Sequence, residues 1–293
     1  MTKKELKEKI EEFCENERLN EKASKTVVDY RNCLNKFYEY LDNDEIEFTK
    51  NFTIKYKLYL QELLESGQAK VSSINKYVVI FNKFLKHLNE DYKTITIKQF
   101  RAQQKSSLEN QMSNSEHKRL LRKSKELGND ELYMIIKTFA QTAIRISELR
   151  YFTVENIQKG PYIDIYSKGK ERKIILIGDL HRSLKKYCKE HKITEGFIFR
   201  SPDPKRRNDP SKMIDSSTIW RQLKKVGGIA RVNLDHIHPH GWRHLFAKAY
   251  LELPGSSITE LMDILGHSKI ETTSIYTRTT LQEKKKKMEM IKF

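Results

Sequence analysis

Helix-breaking residues are scarce in the first half of this sequence. All six prolines lie from Pro161 onward, and only Gly67 and Gly128 precede Gly160. Proline and glycine are the least favourable residues in the interior of a helix. Because apolar residues also recur there at three- and four-residue spacing, the region before Gly160 is predicted to be helical.

Four helices are indicated near the N-terminus. A charged one lies in the segment MTKKELKEKIEEF, and apolar stripes over residues 27–41, 56–64 and 74–88 mark the others. Ser24 is the predicted N-cap of the second helix, and the third is expected to end near Gly67. Stripes of this kind are typical of a core rather than of a binding site.

Cysteine and long apolar runs are also scarce. Cys14, Cys33 and Cys188 have neither disulfide nor metal-ligand spacing, a pattern typical of a reducing cytoplasm. No apolar run approaches the ~20 residues needed to cross a bilayer, and the N-terminus lacks the apolar core of a signal peptide. These observations argue against a disulfide scaffold, a metal site and a membrane protein, and they favour a cytoplasmic location.

The charge is strongly positive and unevenly distributed. The net charge is +17, yet residues 1–47 carry 9 lysines and arginines against 13 acidic residues, whereas residues 111–293 carry 36 against 21. A basic surface attracts polyanions, above all nucleic acid, because each neutralised phosphate releases condensed counterions. A lysine-rich composition imposed by an AT-rich genome is the competing explanation, so charge by itself only favours a nucleic-acid partner.

A polar segment divides the chain. Residues 101–115, RAQQKSSLENQMSNS, lack periodicity, which predicts a linker between a helical domain at 1–100 and a second domain at 116–293. Ser113 or Ser115 is expected to cap the helix that follows.

The second domain combines helices with a short stretch of β-structure. YIDIY and RKIILIG are two β-type runs separated by the polar segment SKGKE, which predicts a hairpin. Helical spacing returns at about Ser216 and continues to the C-terminus. The sequence therefore predicts a mainly α fold, with a helical domain followed by a mixed α/β domain that contains a small antiparallel sheet.

Four separated segments of the second domain resemble the motifs of one family. They are TAIRISEL (142–149), SKGKERKIIL (167–176), HPHGWRH (238–244) and LGHSKIETTSIYTR (265–278). The tyrosine recombinase/phage integrase family has an arginine in a T-G-x-R-x-x-E-L stretch, a lysine in a hairpin turn, an H-x-x-R pair, and L-G-H followed nine residues later by a nucleophilic tyrosine. Each motif is weak by itself. All four in this order make a specific resemblance, which covers about 113–293, and the N-terminal part is similar to the family's core-binding domain in size, charge and position.

The resemblance implies that Tyr276 attacks a DNA phosphodiester. Attack concentrates negative charge on the non-bridging oxygens, and Arg145 and Arg243 suit those oxygens because guanidinium stays charged and donates in a planar fork. The hydroxyl of a free tyrosine has a pKa of about 10, so Tyr276 needs positive surroundings and a proton acceptor.

The same resemblance gives three further residues their roles. His240 assists proton transfer from the nucleophile, Lys168 in the hairpin turn protonates the departing 5′ oxygen, and His267 donates a hydrogen bond to the phosphate. Lys170 competes with Lys168 for the role of general acid. Since a phosphotyrosine stores the energy of the broken bond, neither ATP nor a metal ion is needed, and no cofactor is expected.

Each of these residues also has a simpler explanation when it is taken singly. Arg145 can form an i,i+3 ion pair with Glu148, and Lys168 lies among other basic residues in a turn. The H-x-x-R and L-G-H residues can simply begin helices, and Tyr276 is one of 14 tyrosines. The chemical interpretation is preferred because independent explanations for several residues at the spacing of one family are hard to sustain.

Three positions depart from the family pattern, and one of them is Arg278, which stands where a second histidine is frequent two residues after the nucleophile. Ala143 stands where glycine commonly precedes the first arginine, which is tolerable unless the backbone there has a positive φ. Trp242 stands where leucine is common and is expected to pack beside the site.

The family also implies an assembly and a reaction. The expected fold is a C-shaped clamp on double-stranded DNA, monomeric off DNA, with a homotetramer on two recombination sites and no membrane partner. The reaction is site-specific recombination through a 3′-phosphotyrosine, in a cytoplasmic, nucleoid-associated protein. Bases are expected to be read from residues 48–105 and 200–231.

Three alternatives stay open at this point. A type IB topoisomerase uses similar chemistry without a target sequence, a regulator that has lost catalysis binds DNA only, and a basic structural protein binds none. The target sequence and the outcome (integration, excision, inversion or resolution) do not follow from the residues.

Overall fold

The computed structural model describes residues 1–42, 44–88, 92–101, 111–167, 170–277, 285 and 288–291. Within these ranges the chain forms two units, Met1–Lys105 and Ser106–Phe293. Most of the predicted linker, residues 102–110, lies outside the described residues. None of the described helices combines the length and apolar character that crossing a membrane requires.

The first unit is helical throughout its described secondary structure. Its helices are α1 (Lys3–Leu19), α2 (Ser24–Tyr40), α3 (Lys50–Glu65), α4 (Val71–Leu88) and the short α5 (Tyr92–Ile95). The four helices predicted from the sequence are therefore confirmed. Their apolar stripes meet in one core, whose largest fully buried side chains are Phe13, Phe37, Tyr56, Phe81 and Phe84.

The predicted cap of α2 was wrong by one residue. Ser24 is the first residue of the helix, and Ala23, which has no side-chain acceptor, occupies the N-cap position. A hydroxyl caps a helix only from the flanking residue, whose extended backbone directs it at the free N–H groups of the first turn. Thr2 does this for α1, where its hydroxyl accepts from the backbone N–H of Glu5.

The second unit is mainly helical and contains one described hairpin. Its helices are α6 (Asn114–Glu126), α7 (Asp130–Thr142), α8 (Val154–Lys159), α9 (Gly178–Glu190), α10 (Ser216–Ile229), α11 (Pro239–Leu251), α12 (Ile258–Leu265) and α13 (Ile270–Ser274). Short 3-10 helices span Ile146–Tyr151, Leu234–His236 and Ile275–Thr277. The predicted hairpin is confirmed as β1 (Tyr162–Ser167) antiparallel to β2 (Lys170–Ile175). The mainly α fold with a small antiparallel sheet is thus as predicted.

The hairpin has one buried and one exposed face, as its alternation requires. Ile163, Ile165 and Ile174 are buried in the main core of the unit, whereas Tyr162 and Tyr166 are exposed. Arg172 is the partner of Ile165 in the register, so this arginine belongs to the inward face.

Three helix ends position the candidate site. Ser113 caps α6 and forms a capping box with Glu116, so the choice between Ser113 and Ser115 falls on Ser113. Pro239 begins α11, since proline is tolerated in the first turn of a helix. Gly266 ends α12 in the left-handed conformation at φ 62°.

Candidate active site

Arg145 and Glu148 form the ion pair that the sequence allowed. The Arg145 guanidinium donates to Glu148 Oε1 at 2.9 Å, and the Arg145 backbone N–H donates to Glu148 Oε2 at 2.8 Å. The Glu148 side chain is 1% exposed, whereas that of Arg145 is 29% exposed. A buried carboxylate needs such partners, so the structural interpretation of Arg145 holds. The chemical one remains compatible with it, because part of the guanidinium is accessible.

Arg243 is the most deeply buried charged group of the site. It is 0% exposed on α11, and its two terminal nitrogens donate to Ala143 O at 2.8 Å and to Leu265 O. Its Nε is buried and has no hydrogen-bond partner among the described residues. Burial, followed by the nearby Arg145 charge, lowers the pKa of Arg243 to about 10. The guanidinium therefore stays charged at neutral pH and keeps one buried donor unused.

The backbone before Arg145 has the positive φ that the family's glycine would favour. Ala143 ends α7 at φ 52° and is fully buried, with its carbonyl bound to Arg243. The left-handed conformation costs a non-glycine residue about 1–2 kcal/mol. The buried methyl group offsets part of that cost, at about 0.8 kcal/mol per buried carbon.

Substitutions of Ala143 test this balance of strain and burial. We expect Ala143→Gly to change the free energy of unfolding by less than about 1 kcal/mol, because strain relief opposes both the lost methyl contact and the greater entropy of an unfolded glycine. Ala143→Val adds a β-branched side chain at positive φ in a filled site, and we expect a loss of about 2 kcal/mol or more. Urea unfolding measures both. Equal stabilities for the two variants would contradict the assigned backbone conformation.

Tyr276 lies in the last described 3-10 helix and is almost fully buried. It is 6% exposed, and within the described residues no atom completes a hydrogen bond to its hydroxyl. Burial raises the pKa of the Tyr276 hydroxyl, while the charge of Arg243, the polar approach of its side chain and the charge of Arg145 act in the opposite direction. A buried hydroxyl without a partner costs about 1–3 kcal/mol, so this arrangement is unfavourable unless another group completes it.

Histidine rings surround Tyr276. The His267 ring stacks on it at 6.3 Å between centroids and 11° between planes, and His267 Nδ1 lies 2.8 Å from Thr273 Oγ1. The His244 ring meets Tyr276 edge-on at 5.0 Å and contacts the His240 ring at 4.7 Å. Of the predicted histidines, His267 thus lies beside the tyrosine, and His240 contacts a third histidine, His244, which itself meets the tyrosine.

The chain is similar in sequence to proteins of one known family. The model of the phage integrase family matches residues 110–283, which is more than half of the chain. The chain belongs to the phage integrase family. The tyrosine recombinase XerA of Pyrococcus horikoshii is 28% identical over 286 residues, covering 97% of this chain and 93% of the relative.

Solved structures of this family share the fold. A lambda integrase (75–356) dimer bound to a COC′ core site matches with a TM-score of 0.74 at 17% identity, covering 95% of this chain and 96% of that one. A lambda integrase tetramer bound to a Holliday junction matches with a TM-score of 0.71 at 16% identity, covering 90% of this chain and 77% of that one.

The hairpin lysine of this integrase-family protein is a separate matter. Lys168 lies outside the described residues, and nothing in the described structure chooses between Lys168 and Lys170. The other predicted residues come together in the second unit, and they are Arg145, His240, Arg243, His267 and Tyr276.

Trp242 packs beside the site, in agreement with the sequence. It is fully buried, its ring lies 6.0 Å from that of Phe139, and its indole N–H donates to His117 Nδ1 at 3.0 Å. His236 Nδ1 lies 3.0 Å from Glu116 Oε1. These contacts hold the start of α11 against α6.

Sequence reasoning missed two residues of the site. His244 belongs to the quoted segment HPHGWRH but received no role, although a histidine one turn after His240 lies on the same face of a helix. Arg172 belongs to the quoted segment SKGKERKIIL and likewise received no role. Arg172 lies two residues before the buried Ile174, and residues two apart in a strand face the same side of the sheet. This spacing predicts that the Arg172 side chain faces the core.

The buried histidines predict a stability that falls in acid. Burial lowers the pKa of His117, His240, His244 and His267 from 6.5 to about 4. Between these values the unfolded chain binds protons that the folded chain does not, so stability is lost as the pH falls from 6.5 toward 4. Burial raises the pKa of Glu131. This shift favours the folded state as the pH falls, but it comes from one group, whereas four histidines have the opposite effect on stability.

Thermal unfolding between pH 8 and 5 measures this dependence. We expect a Tm that is flat above about pH 7 and falls steadily below 6.5. His117→Gln, which keeps an acceptor for Trp242, should reduce the slope. A Tm that does not change between pH 6.5 and 5 would show that these histidines are accessible to protons in the fold.

Proposed function

We propose that this phage integrase family protein is a site-specific DNA recombinase that cleaves and rejoins strands through a 3′-phosphotyrosine at Tyr276. The observation that carries the proposal is the unpartnered hydroxyl of Tyr276, buried beside an arginine whose Nε is also unpartnered. A phosphate between them satisfies both groups at once. Burying either group without a hydrogen-bond partner is unfavourable, so binding of a phosphate would recover that free energy.

The two arginines bind the phosphate in this mechanism. Arg243 is held by two backbone carbonyls, so its guanidinium is fixed in place before a phosphate binds, and such preorganisation makes charge stabilisation most effective. Arg145 is oriented by Glu148 and is accessible enough to meet an incoming phosphate. Together they neutralise the charge that develops on the non-bridging oxygens.

Proton transfers complete the reaction. Burial lowers the pKa of His240 to about 4, so its ring is neutral at physiological pH and has a nitrogen available as an acceptor. We assign to it the proton of Tyr276, from which it is separated by the His244 ring. His267 donates to the phosphate from its stacked position. Lys168, with Lys170 as its rival, protonates the departing 5′ oxygen. The bond from Tyr276 Oη to phosphorus forms as the bond from phosphorus to the 5′ oxygen breaks, and rejoining reverses both.

The assembly is proposed on the same grounds. The lambda integrase structures that this chain resembles contain a dimer on a core site and a tetramer on a Holliday junction. We propose double-stranded DNA as the partner, two domains at 1–100 and 116–293 joined by the linker 101–115, and a tetramer on two sites that forms from monomers. The strong positive charge supports DNA binding.

A plasmid assay separates this function from its alternatives. One supercoiled plasmid carries two directly repeated copies of the DNA that flanks the gene in its genome, and a matched plasmid carries none. Recombination predicts two product circles from the first plasmid only. Relaxation of the matched plasmid supports a topoisomerase, and salt-dependent binding without cleavage of either plasmid, with several flanking segments tried, supports a regulator.

A further inference from the structure

Arg172 differs from the other described basic residues of its strand. Its side chain is 12% exposed on the inward face of β2, whereas that of the next residue, Lys173, is 65% exposed and pairs with Asp164 across the hairpin at 2.6 Å. Burying a guanidinium is unfavourable unless its charge and its donors are satisfied. Arg172 Nε is buried without a hydrogen-bond partner among the described residues, so the contacts that offset the burial are those of its two terminal nitrogens.

The Arg172 guanidinium joins two parts of the candidate site. One terminal nitrogen donates to Glu148 Oε2 at 2.7 Å, and the other donates to Ile264 O at 2.8 Å. Glu148 is the carboxylate that orients Arg145 through its other oxygen. The two arginines thus occupy the two oxygens of one buried carboxylate.

The end of α12 shows a second pattern. Its successive carbonyls at Ile264, Leu265 and Gly266 accept from Arg172, Arg243 and Arg145 respectively, with the last distance at 3.3 Å. The final carbonyls of a helix have no partner within it and carry partial negative charge. Three guanidiniums satisfy them here, and the last of these carbonyls, at Gly266, lies ten residues before Tyr276.

Gly266 brings the arginine close to this helix end. A Cβ atom on Gly266 would lie 2.5 Å from Arg172 Cδ and 2.7 Å from its Nε, and the residue has a φ of 62°. Glycine is therefore required both by the backbone conformation and by the approach of the Arg172 side chain. His267 is the next residue along the chain.

We infer that Arg172 is a positioning residue for strand cleavage: it binds Glu148 and the end of α12, and so fixes Arg145 and His267 relative to the hairpin. The inference rests on the proposed recombinase function. Without Arg172, Glu148 Oε2 keeps the Arg145 backbone N–H but loses its guanidinium donor, so the carboxylate attracts the Arg145 guanidinium more strongly and away from the phosphate. One carbonyl of α12 also loses its donor. Because Arg172 lies in β2, the position of this strand and the orientation of Arg145 are coupled.

Single-turnover cleavage at saturating protein tests the inference. The variants are Arg172→Met, which keeps length without charge, Arg172→Lys, which keeps charge but not the fork, and Lys173→Met as a matched control on the exposed face. A misplacement of about 1 Å costs on the order of 10²-fold in rate. We expect that loss in the rate constant for Arg172→Met, a loss of about tenfold for Arg172→Lys, and less than twofold for Lys173→Met.

Amplitude and rate separate positioning from mere folding. A purely structural role lowers the fraction of active protein and hence the amplitude of cleavage, but leaves the rate constant of the folded fraction unchanged. Positioning lowers the rate constant while amplitude and DNA affinity stay near those of the wild type. Arg172→Met cleaving within twofold of the wild-type rate constant overturns the inference.

Hydrogen exchange keeps this inference distinguishable from the proposed function. We expect faster amide exchange over residues 258–277 in Arg172→Met than in either the wild type or Lys173→Met, measured without DNA. If wild-type protein forms no adduct with DNA, the recombinase function is wrong, and the exchange comparison still decides whether Arg172 orders the end of α12. Unchanged exchange in Arg172→Met refutes that ordering.

Discussion

Tyr276→Phe should abolish DNA cleavage and at the same time make the protein more stable. The hydroxyl is the proposed nucleophile, so its removal leaves no group that can form the phosphotyrosine. It is also buried without a partner among the described residues, and deleting such a group relieves a desolvation cost. We expect the free energy of unfolding to rise by about 1 kcal/mol, which corresponds to about 2–4 °C in Tm for a unit of this size.

Tyr250→Phe is the matched control for this prediction. Tyr250 lies on α11, and its hydroxyl donates to Glu260 Oε2 at 3.0 Å. Loss of that exposed hydrogen bond should cost less than about 1 kcal/mol and leave the rate of cleavage unchanged. A Tyr276→Phe protein less stable than the wild type would mean that the hydroxyl has a structural partner, and the argument from its isolation would fail.

Arg243→Lys should slow cleavage by about 10³-fold or more, since removing one preorganised donor from a charge-stabilising site costs about 10²–10³-fold and lysine removes the planar fork altogether. The ammonium group has no geometry that reaches Ala143 O, Leu265 O and a phosphate together. The substitution also leaves a buried carbonyl unpaired, so we expect a loss of about 1–3 kcal/mol in stability.

The cleavage rate constant of Arg243→Lys is measured at a temperature where circular dichroism shows the variant to be folded. Arg150→Lys, an arginine on the exposed surface of the same unit, is the control and should cleave at the wild-type rate. Retention of more than a tenth of the wild-type rate constant by folded Arg243→Lys would remove this arginine from the proposed phosphate site.

Local patterns in the sequence predicted most of the fold correctly. The apolar stripes over 27–41, 56–64 and 74–88 became α2, α3 and α4 because burial of one face is what stabilises a helix in water. The hairpin followed from alternation and from the polar turn between its runs. The cap of α2 was placed one residue late, since a serine at N1 and one at the N-cap look alike without backbone angles.

The site was predictable to the extent that motif spacing reports it. Arg145, Arg243 and Tyr276 were assigned from the resemblance, and the structure brings them together. The pairing of Arg172 with Glu148 joins residues 24 positions apart, and its bond to Ile264 spans 92, so no local pattern contains them. The left-handed conformation of Ala143 could not be predicted from the sequence, because it depends on backbone angles that only the structure gives.

The most direct test is to map the covalent adduct on a suicide DNA substrate that carries the flanking site. After cleavage this substrate releases the short fragment that carries the free 5′ hydroxyl, so the adduct is trapped. The protein is incubated with a chelator present, separated under denaturing conditions and digested, and the peptide that carries the nucleotide is identified by mass spectrometry. We predict a modified peptide containing Tyr276, absent from the Tyr276→Phe protein. An adduct on any other residue, or one that persists in Tyr276→Phe, would contradict the assignment of the nucleophile.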